Sequence, residues 1–335
     1  MDHQVFHGTH DEAGYEWGRK LLREGRSLLA DVPFPVTKER VRFAEACRPL
    51  YEKWYPEVLE EIRGIAAGQQ AEQKKLEAVL LGMYAILPEN RCSCLAFRDG
   101  AHMILGRNSD FLAGSEQMSM NCIYRLDGGC ASFQGNTTAF VEMEDGVNEY
   151  GFAASLTSVY PICRGYGLNA GMLLRYGLER CRTVEAFEKA LETLPMASCQ
   201  TFTAVDAAGA AAVIECGPMG MKVCRLDEEH SFVAAVNAFH LDAMTPYRAE
   251  GIDDWNAEER YRTIHSAFAS ERTADAVSFA MDVLRGTYGF LCQYDPATGK
   301  DTVWSSVYDV GARRIWRCEG NPSRKEYEED GRFVF

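Results

Sequence analysis

Cys92 opens a stretch, RCSCLAFRDGAHMILGRNSDF, whose residue types suit thiol chemistry and whose spacing a hairpin would close. Strand-forming residues flank Arg98-Asp99-Gly100, a turn signal, so two antiparallel strands are expected, with Cys92 at the outer end of one and Arg107 to Asp110 at the outer end of the other. Folding back carries Arg107 and Asp110 toward the sulfur. An arginine beside a thiol favours the thiolate and can bind a carboxylate or carbonyl, while an aspartate can orient an ammonium group. Taken alone, a cysteine at a strand start is more often a small buried apolar side chain, and an Arg/Asp pair at a strand end more often a surface ion pair. An internal Cys-His pair would instead need His102 or His240 as base.

The elements that must hold these ends read as follows. The first 90 or so residues read as helical: Leu76, Val79, Leu80 and Met83 recur at three and four over 75–85, and Val58, Ile62 and Ile65 form a stripe within 37–66, where Pro49 and Pro56 should break the helix. Gly14 and Gly18 either permit another backbone to approach or are simply costly helix positions. At Leu87-Pro88 the periodicity changes. Strands are expected at 122–126, 131–133, 138–143, 200–205, 211–215, 221–226, 302–309 and 313–317, and helices at 171–177, 183–194, 256–268 and 273–284. Helices grouped between antiparallel strands predict an α+β layered fold, because parallel units would interleave them regularly.

With 335 residues, 47% hydrophobic, the chain can fill one large core or two ordinary domains. Its net charge of −14 weighs against nucleic acid and an anionic membrane surface. No apolar run reaches bilayer length, and MDHQVFHGTHDEAG lacks the basic and apolar parts of a secretion signal, so a cytoplasmic location is the expectation. The twelve cysteines include no CxxC pair, and Cys92 and Cys94 have no matching pair or nearby His cluster, so neither a metal nor a cofactor is expected.

Cys92-Ser93-Cys94-Leu95-Ala96-Phe97, then Asp99-Gly100 and Gly106-Arg107-Asn108-Ser109-Asp110-Phe111, resembles the N-terminal-nucleophile (Ntn) superfamily of linear amide hydrolases. That group includes choloylglycine hydrolases, penicillin V acylases and acyl-coenzyme A:6-aminopenicillanic acid acyltransferase. His7 to Gly18 resembles the opening of acyltransferase-like precursors, and Asn148-Glu149-Tyr150-Gly151-Phe152 the family's Asn-Glu-x-Gly-Leu segment. Asp206 to Gly209, Val213-Ile214-Glu215 and Val236-Asn237 resemble the strands leading to the family asparagine, and Ser305 to Asp309 with Gly320-Asn321-Pro322 its ending. The long leader points to the acyltransferase-like branch.

The resemblance implies a four-layer αββα sandwich with an added helical N-terminal segment: residues 1–91 as a pro-segment, cleaved but retained, and 92–335 as the catalytic domain. It implies self-cleavage between Arg91 and Cys92, after which the α-amine of Cys92 serves as base for its own thiol. Asp110 would hold that amine, Asn237 would donate to the oxyanion, and Arg107 and Arg260 would supply positive field; Arg262 is the other candidate for the second arginine. Asn148 and Tyr160 are candidate substrate contacts, and Cys94 is either a second thiol or filler. The implied substrate is a small N-acyl amide or short peptide, with water, an amine or a thiol as acyl acceptor; a homo-oligomer stays open. The competing readings are a silent Ntn-fold binding or structural protein and the Cys-His enzyme.

Overall fold

The computed structural model describes residues 1–86, 91–160, 162–272 and 274–335. The expected boundary at Leu87-Pro88 and the helix start expected at Thr273 lie outside them. The chain opens with β1 (Asp2–Gly8), then α1 (His10–Arg23), α2 (Leu28–Asp31), α3 (Lys38–Trp54), α4 (Pro56–Gln69) and α5 (Gln73–Leu80). The hairpin β2 (Arg91–Asp99) and β3 (His102–Leu112) is followed by β4 (Met120–Leu126), β5 (Phe133–Thr137), β6 (Asp145–Asn148) and β7 (Ala153–Val159). After α6 (Ala170–Arg180) and α7 (Val184–Thr193) come β8 (Cys199–Val205), β9 (Ala211–Gly217), β10 (Gly220–Arg225) and β11 (Phe232–Ala235). The chain ends with α8 (Ala257–Ala269), α9 (Ala276–Leu284), β12 (Lys300–Asp309), β13 (Arg314–Cys318) and β14 (Glu328–Glu329).

Two sheets stack face to face. One has eight strands in the order β1-β4-β5-β6-β7-β8-β9-β10, the other six in the order β11-β2-β3-β12-β13-β14. Side-chain alternation builds the layers. Cys94 and Ala96 of β2 meet Ile123, Val147, Ala153 and Val205 between the sheets, whereas Leu95 and Phe97 pack outward on Ile264, Phe279 and Val283 of α8 and α9. Tyr124, Phe133, Leu156 and Phe202 point out of the other sheet onto the N-terminal helices, α6 and α7. The result is the αββα sandwich. Among the described residues, no helix is long and apolar enough to cross a membrane.

The N-terminal region is not wholly helical, because β1 pairs in parallel with β4 at the sheet edge. Pro49 does not break α3, whose buried Ala44, Cys47 and Tyr51 hold the helix on the core across it; the break comes at Pro56, the first residue of α4. Residues 138–143 form turns, and the strand lies later, at β6. Gly14 and Gly18 do serve close approach. A Cβ on Gly14 would lie 2.2 Å from the Glu61 carbonyl oxygen, and one on Gly64 2.1 Å from that of Asp11, so α1 and α4 touch backbone to backbone.

Candidate active site

The β2–β3 register fixes which side chains can meet. Cys92 lies opposite Ser109 and Cys94 opposite Arg107, so these four share the face between the sheets. Arg91 lies opposite Asp110 and Ser93 opposite Asn108, on the other face.

On the inner face, Cys92 is fully buried and its Sγ accepts a hydrogen bond from Arg107 Nη2 at 2.8 Å. The same nitrogen donates to Glu144 Oε2 at 3.0 Å, while Nη1 donates to Asp145 Oδ2 at 3.0 Å and Nε to the Leu156 carbonyl at 3.3 Å. Asp145 is held in turn by Trp304 Nε1 at 2.9 Å, Tyr308 Oη at 2.6 Å and Asn136 Nδ2 at 2.5 Å. Burial pushes the Cys92 thiol well above the ordinary cysteine range, with the Arg107 charge pulling the other way. A thiolate at this position would therefore need both the Arg107 charge and a proton acceptor. Burial raises the Cys94 thiol as well, to about 11.

On the outer face, Arg260 crosses behind the strand. Its Nη1 donates to the Cys92 carbonyl at 2.6 Å and Ser93 Oγ at 2.9 Å, and its Nη2 to Asn237 Oδ1 at 3.0 Å. Asn237 Oδ1 also accepts the Cys92 backbone N–H at 2.8 Å, and its Nδ2 donates to the Ser158 carbonyl at 2.8 Å. Asp110 accepts from Thr302 Oγ1 at 2.6 Å and Tyr294 Oη at 2.9 Å, and lies 3.6 Å from Arg260 Nη1. Burial raises the Asp110 carboxyl, opposed first by Arg260.

Cys92 thus meets Arg107 at its sulfur, Asn237 at its nitrogen and Arg260 at its carbonyl, whereas Asp110, expected to hold the Cys92 nitrogen, is joined to this group through Arg260. Of the two candidate arginines, Arg260 lies on the buried stripe of α8 with Thr263, Ile264 and Ala267, whereas Arg262 is exposed. Arg91 reaches the Asp253 carbonyl at 2.9 Å. Asn148 is taken up elsewhere: Nδ2 donates to the Leu178 and Cys181 carbonyls and Oδ1 accepts from Tyr150 N and Phe152 N, which closes the β6–β7 turn. Tyr160 lines a cavity of about 390 Å³ with Ile162, Arg164, Glu39 and Ala85. His102 sits at the far end of the hairpin on Asp309, and His240 stacks on Tyr261; neither is among the groups bonded to Cys92. Sequence reasoning missed Glu144 and Asp145. The cue was EMED, charged residues set in an apolar stretch, since buried acids require a buried cation.

One His/Cys/Glu group among the described residues, His10, Cys130 and Glu179, brings its ligand atoms within 4.8 Å of one another. Glu179 is already committed to Arg175 Nε at 2.8 Å and Tyr55 Oη at 2.7 Å, so the group is an ion-pair cluster whose carboxylate is in use.

Residues 97–324 match the model of a family described as acyl-coenzyme A:6-aminopenicillanic acid acyl-transferase. The match begins beyond Cys92, which rests on the geometry above. Among solved structures, a mutant conjugated bile acid hydrolase from Clostridium perfringens is 13% identical over 72% of this chain and 97% of its own, with a TM-score of 0.50. An N-acylethanolamine-hydrolyzing acid amidase ortholog from Caenorhabditis elegans is 16% identical over 66% of this chain and 93% of its own, with a TM-score of 0.46. Penicillin V acylase from Agrobacterium tumefaciens is 18% identical over 68% and 82%, with a TM-score of 0.45. At these identities the bile acid hydrolase likeness speaks for the shared Ntn-hydrolase fold alone.

Proposed function

Because the chain belongs to the acyl-coenzyme A:6-aminopenicillanic acid acyl-transferase family, we propose that it is a self-processing Ntn amide hydrolase or acyltransferase with Cys92 as nucleophile. The observation that carries this reading is the pairing of the buried Cys92 Sγ with Arg107 while the Cys92 nitrogen rests on Asn237. Cleavage after Arg91 would free that nitrogen as an α-amine, whose ordinary pKa of about 7.7 to 8.0 suits it to take the thiol proton and return it to a leaving amine. The sulfur then attacks a substrate amide and holds the acyl group as a thioester, which water, an amine or a thiol releases. Asn237 stays beside the new amine and turns its amide toward the oxyanion. Asp110 acts through Arg260 and Ser93, fixing the strand from its outer face. Residues 1–91 remain bound after cleavage, since β1 is part of the sheet and α1, α3 and α4 complete its core. The Tyr160 cavity is the candidate site for a small N-acyl amide, because Tyr160 follows Ser158, which carries Asn237.

The test is N-terminal sequencing and intact mass of purified protein. A fragment beginning CSCLAFRDG, still associated with residues 1–91, is expected in active samples; Met1 alone in an active sample would sink the proposal. Activity on a panel of N-acyl amino acids, short peptides and aryl amides should survive a chelator, because thiol, amine and amide donors supply each role.

A further inference from the structure

Self-cleavage meets a difficulty that turnover does not. In the intact chain the Cys92 nitrogen belongs to a peptide bond and donates its hydrogen to Asn237 Oδ1 at 2.8 Å, so it has no basic lone pair to offer the thiol. Burial raises the cost of a thiolate with no internal proton acceptor. Some other group must take that proton.

The buried carboxylates near the sulfur differ in what they can do. Asp145 receives four donors, two on each oxygen, and is saturated. Asp110 lies across the strand, committed to Thr302, Tyr294 and Arg260. Glu144 shares Arg107 Nη2 with the sulfur as a common donor, at 3.0 Å against 2.8 Å. Its Oε1 is held by Thr138 N at 3.0 Å and Thr138 Oγ1 at 2.6 Å, whereas Oε2 has, among the described residues and besides Arg107, only a 3.3 Å contact from Ser109 Oγ, a hydroxyl that can rotate away. Its charge also bears on the sulfur more strongly than that of Asp110.

We propose that Glu144 is the proton acceptor for Cys92 in the self-cleavage step, a role separate from that of the α-amine in turnover; the proposal rests on the self-processing reading above. The proton passes from Sγ to Glu144 Oε2 as sulfur bonds to the Arg91 carbonyl carbon. The Arg91–Cys92 C–N bond then breaks, the departing nitrogen takes the proton back from Glu144, and a thioester links the Arg91 carbonyl to Sγ. Water adds to that carbonyl and the sulfur leaves, giving the Arg91 carboxylic acid and the free thiol. Charge favours this route. Arg107, Glu144 and Asp145 together carry a single net negative charge, and transfer within the cluster keeps it single, with Arg107 exchanging a carboxylate partner for a thiolate. Losing the proton to solvent would leave a second uncompensated charge in a fully buried site.

The test separates cleavage from turnover in the full chain. Residues 88–91 read Pro-Glu-Asn-Arg, so Pro88→Ile with Asn90→Gly creates a factor Xa sequence that ends directly before Cys92. In this background the rate of self-cleavage is followed by intact mass for the parent, Glu144→Gln and Glu144→Asp. Glu144→Gln should self-cleave at least about 10²-fold more slowly than the parent, the usual span for a lost general base, and after factor Xa treatment its loss of turnover on an aryl amide should be clearly smaller than its loss in self-cleavage. Glu144→Asp, which keeps the base and shifts it by one methylene, should self-cleave at an intermediate rate and covers the case in which the glutamine variant does not fold. Self-cleavage of folded Glu144→Gln at the parental rate overturns the proposal, as does a factor Xa-cut Glu144→Gln enzyme that is folded but inactive, because the carboxylate would then serve Arg107 rather than the first proton transfer. A parent that never cleaves itself yet is active would instead sink the self-processing reading.

Discussion

Two buried arginines organise this molecule in nearly the same way and differ in what their last N–H meets. Arg107 lies between the sheets, with Glu144, Asp145 and the Leu156 carbonyl as acceptors and the Trp304 ring 5.2 Å from its guanidinium carbon. Arg175 lies where the N-terminal segment meets the eight-stranded sheet, with Glu61, Glu179 and the Val141 carbonyl as acceptors and the Tyr124 ring at 4.3 Å. Each has two carboxylates, one carbonyl and one aromatic face. The difference is the remaining N–H. Arg175 grips Glu61 with two nitrogens, at 3.1 and 2.5 Å, and the surrounding Tyr55, Tyr124 and His10 close the cluster with bonds to the same carboxylates. Arg107 instead gives one nitrogen to both a carboxylate and a thiol. A saturated cluster is a clamp, while one whose donor is shared with a thiol can exchange partners.

The largest effect that separates the two is chemical. Cys92→Ala should abolish self-cleavage and turnover while moving the unfolding midpoint little, whereas Cys94→Ala should leave both activities in place; acyl-enzyme trapping and mass spectrometry decide it, and the reverse pattern would move the nucleophile two residues along β2. Next come the arginines themselves. Arg175→Met and Arg107→Met each strand two buried carboxylates and should cost about 3 to 5 kcal/mol in denaturant unfolding. Arg175→Met should leave residual turnover in the folded fraction and loosen the 1–91 segment, seen as earlier hydrogen exchange in α1 and α4; Arg107→Met should remove turnover with no such local loosening. Equal loss of turnover in both variants at matched folded fraction would erase the distinction.

Much of the Cys92 arrangement was legible because local signals carry it. Arg98-Asp99-Gly100 marks the hairpin, and the hairpin alone brings Arg107 to Cys92. What spacing could not give was the face. Asp110 lies three positions after Arg107, an odd step in a strand, so their side chains lie on opposite sides, and of the two it is Arg107 that reaches the sulfur directly. Asn237 and Arg260 were named by resemblance alone, since the pairing of β11 with β2 and the packing of α8 on it are long-range contacts. β1 was missed because DHQVFHG alternates weakly and its partner, β4, is distant in the chain. Glu144 fell in a stretch read as strand followed by turn, and its partner Arg107 reaches it only through the fold.

The smallest expected effect comes from a buried carboxylate with no arginine bonded to it. Burial favours the protonated form of any buried carboxyl, yet Arg175, His10 and Tyr55 outweigh it at Glu179, whose carboxyl is held down to about 2. At Glu215 burial prevails and the carboxyl is pushed up to about 7, although the N–H groups of His240 at 2.6 Å and Leu241 at 3.1 Å, and the charge of Arg248, oppose it. The signs of the resulting pH dependence are opposite. Glu179 stabilises the fold above its ordinary value of 4.5, a contribution lost as pH falls toward 2. For Glu215 the folded state binds the proton more tightly than the unfolded state, so its contribution is complete below its ordinary value of 4.5 and declines as pH rises through about 7. The difference amounts to at most about 3 kcal/mol. Glu215→Gln keeps an acceptor for the two backbone N–H groups but cannot ionise. Urea unfolding of both proteins at intervals from pH 4.5 to 8 should therefore show the variant gaining on wild type by up to that amount, with most of the gain complete by pH 8. A constant offset across the series would mean that Glu215 titrates alike in the folded and unfolded chains, and that a buried carboxylate in this fold needs no arginine to stay charged.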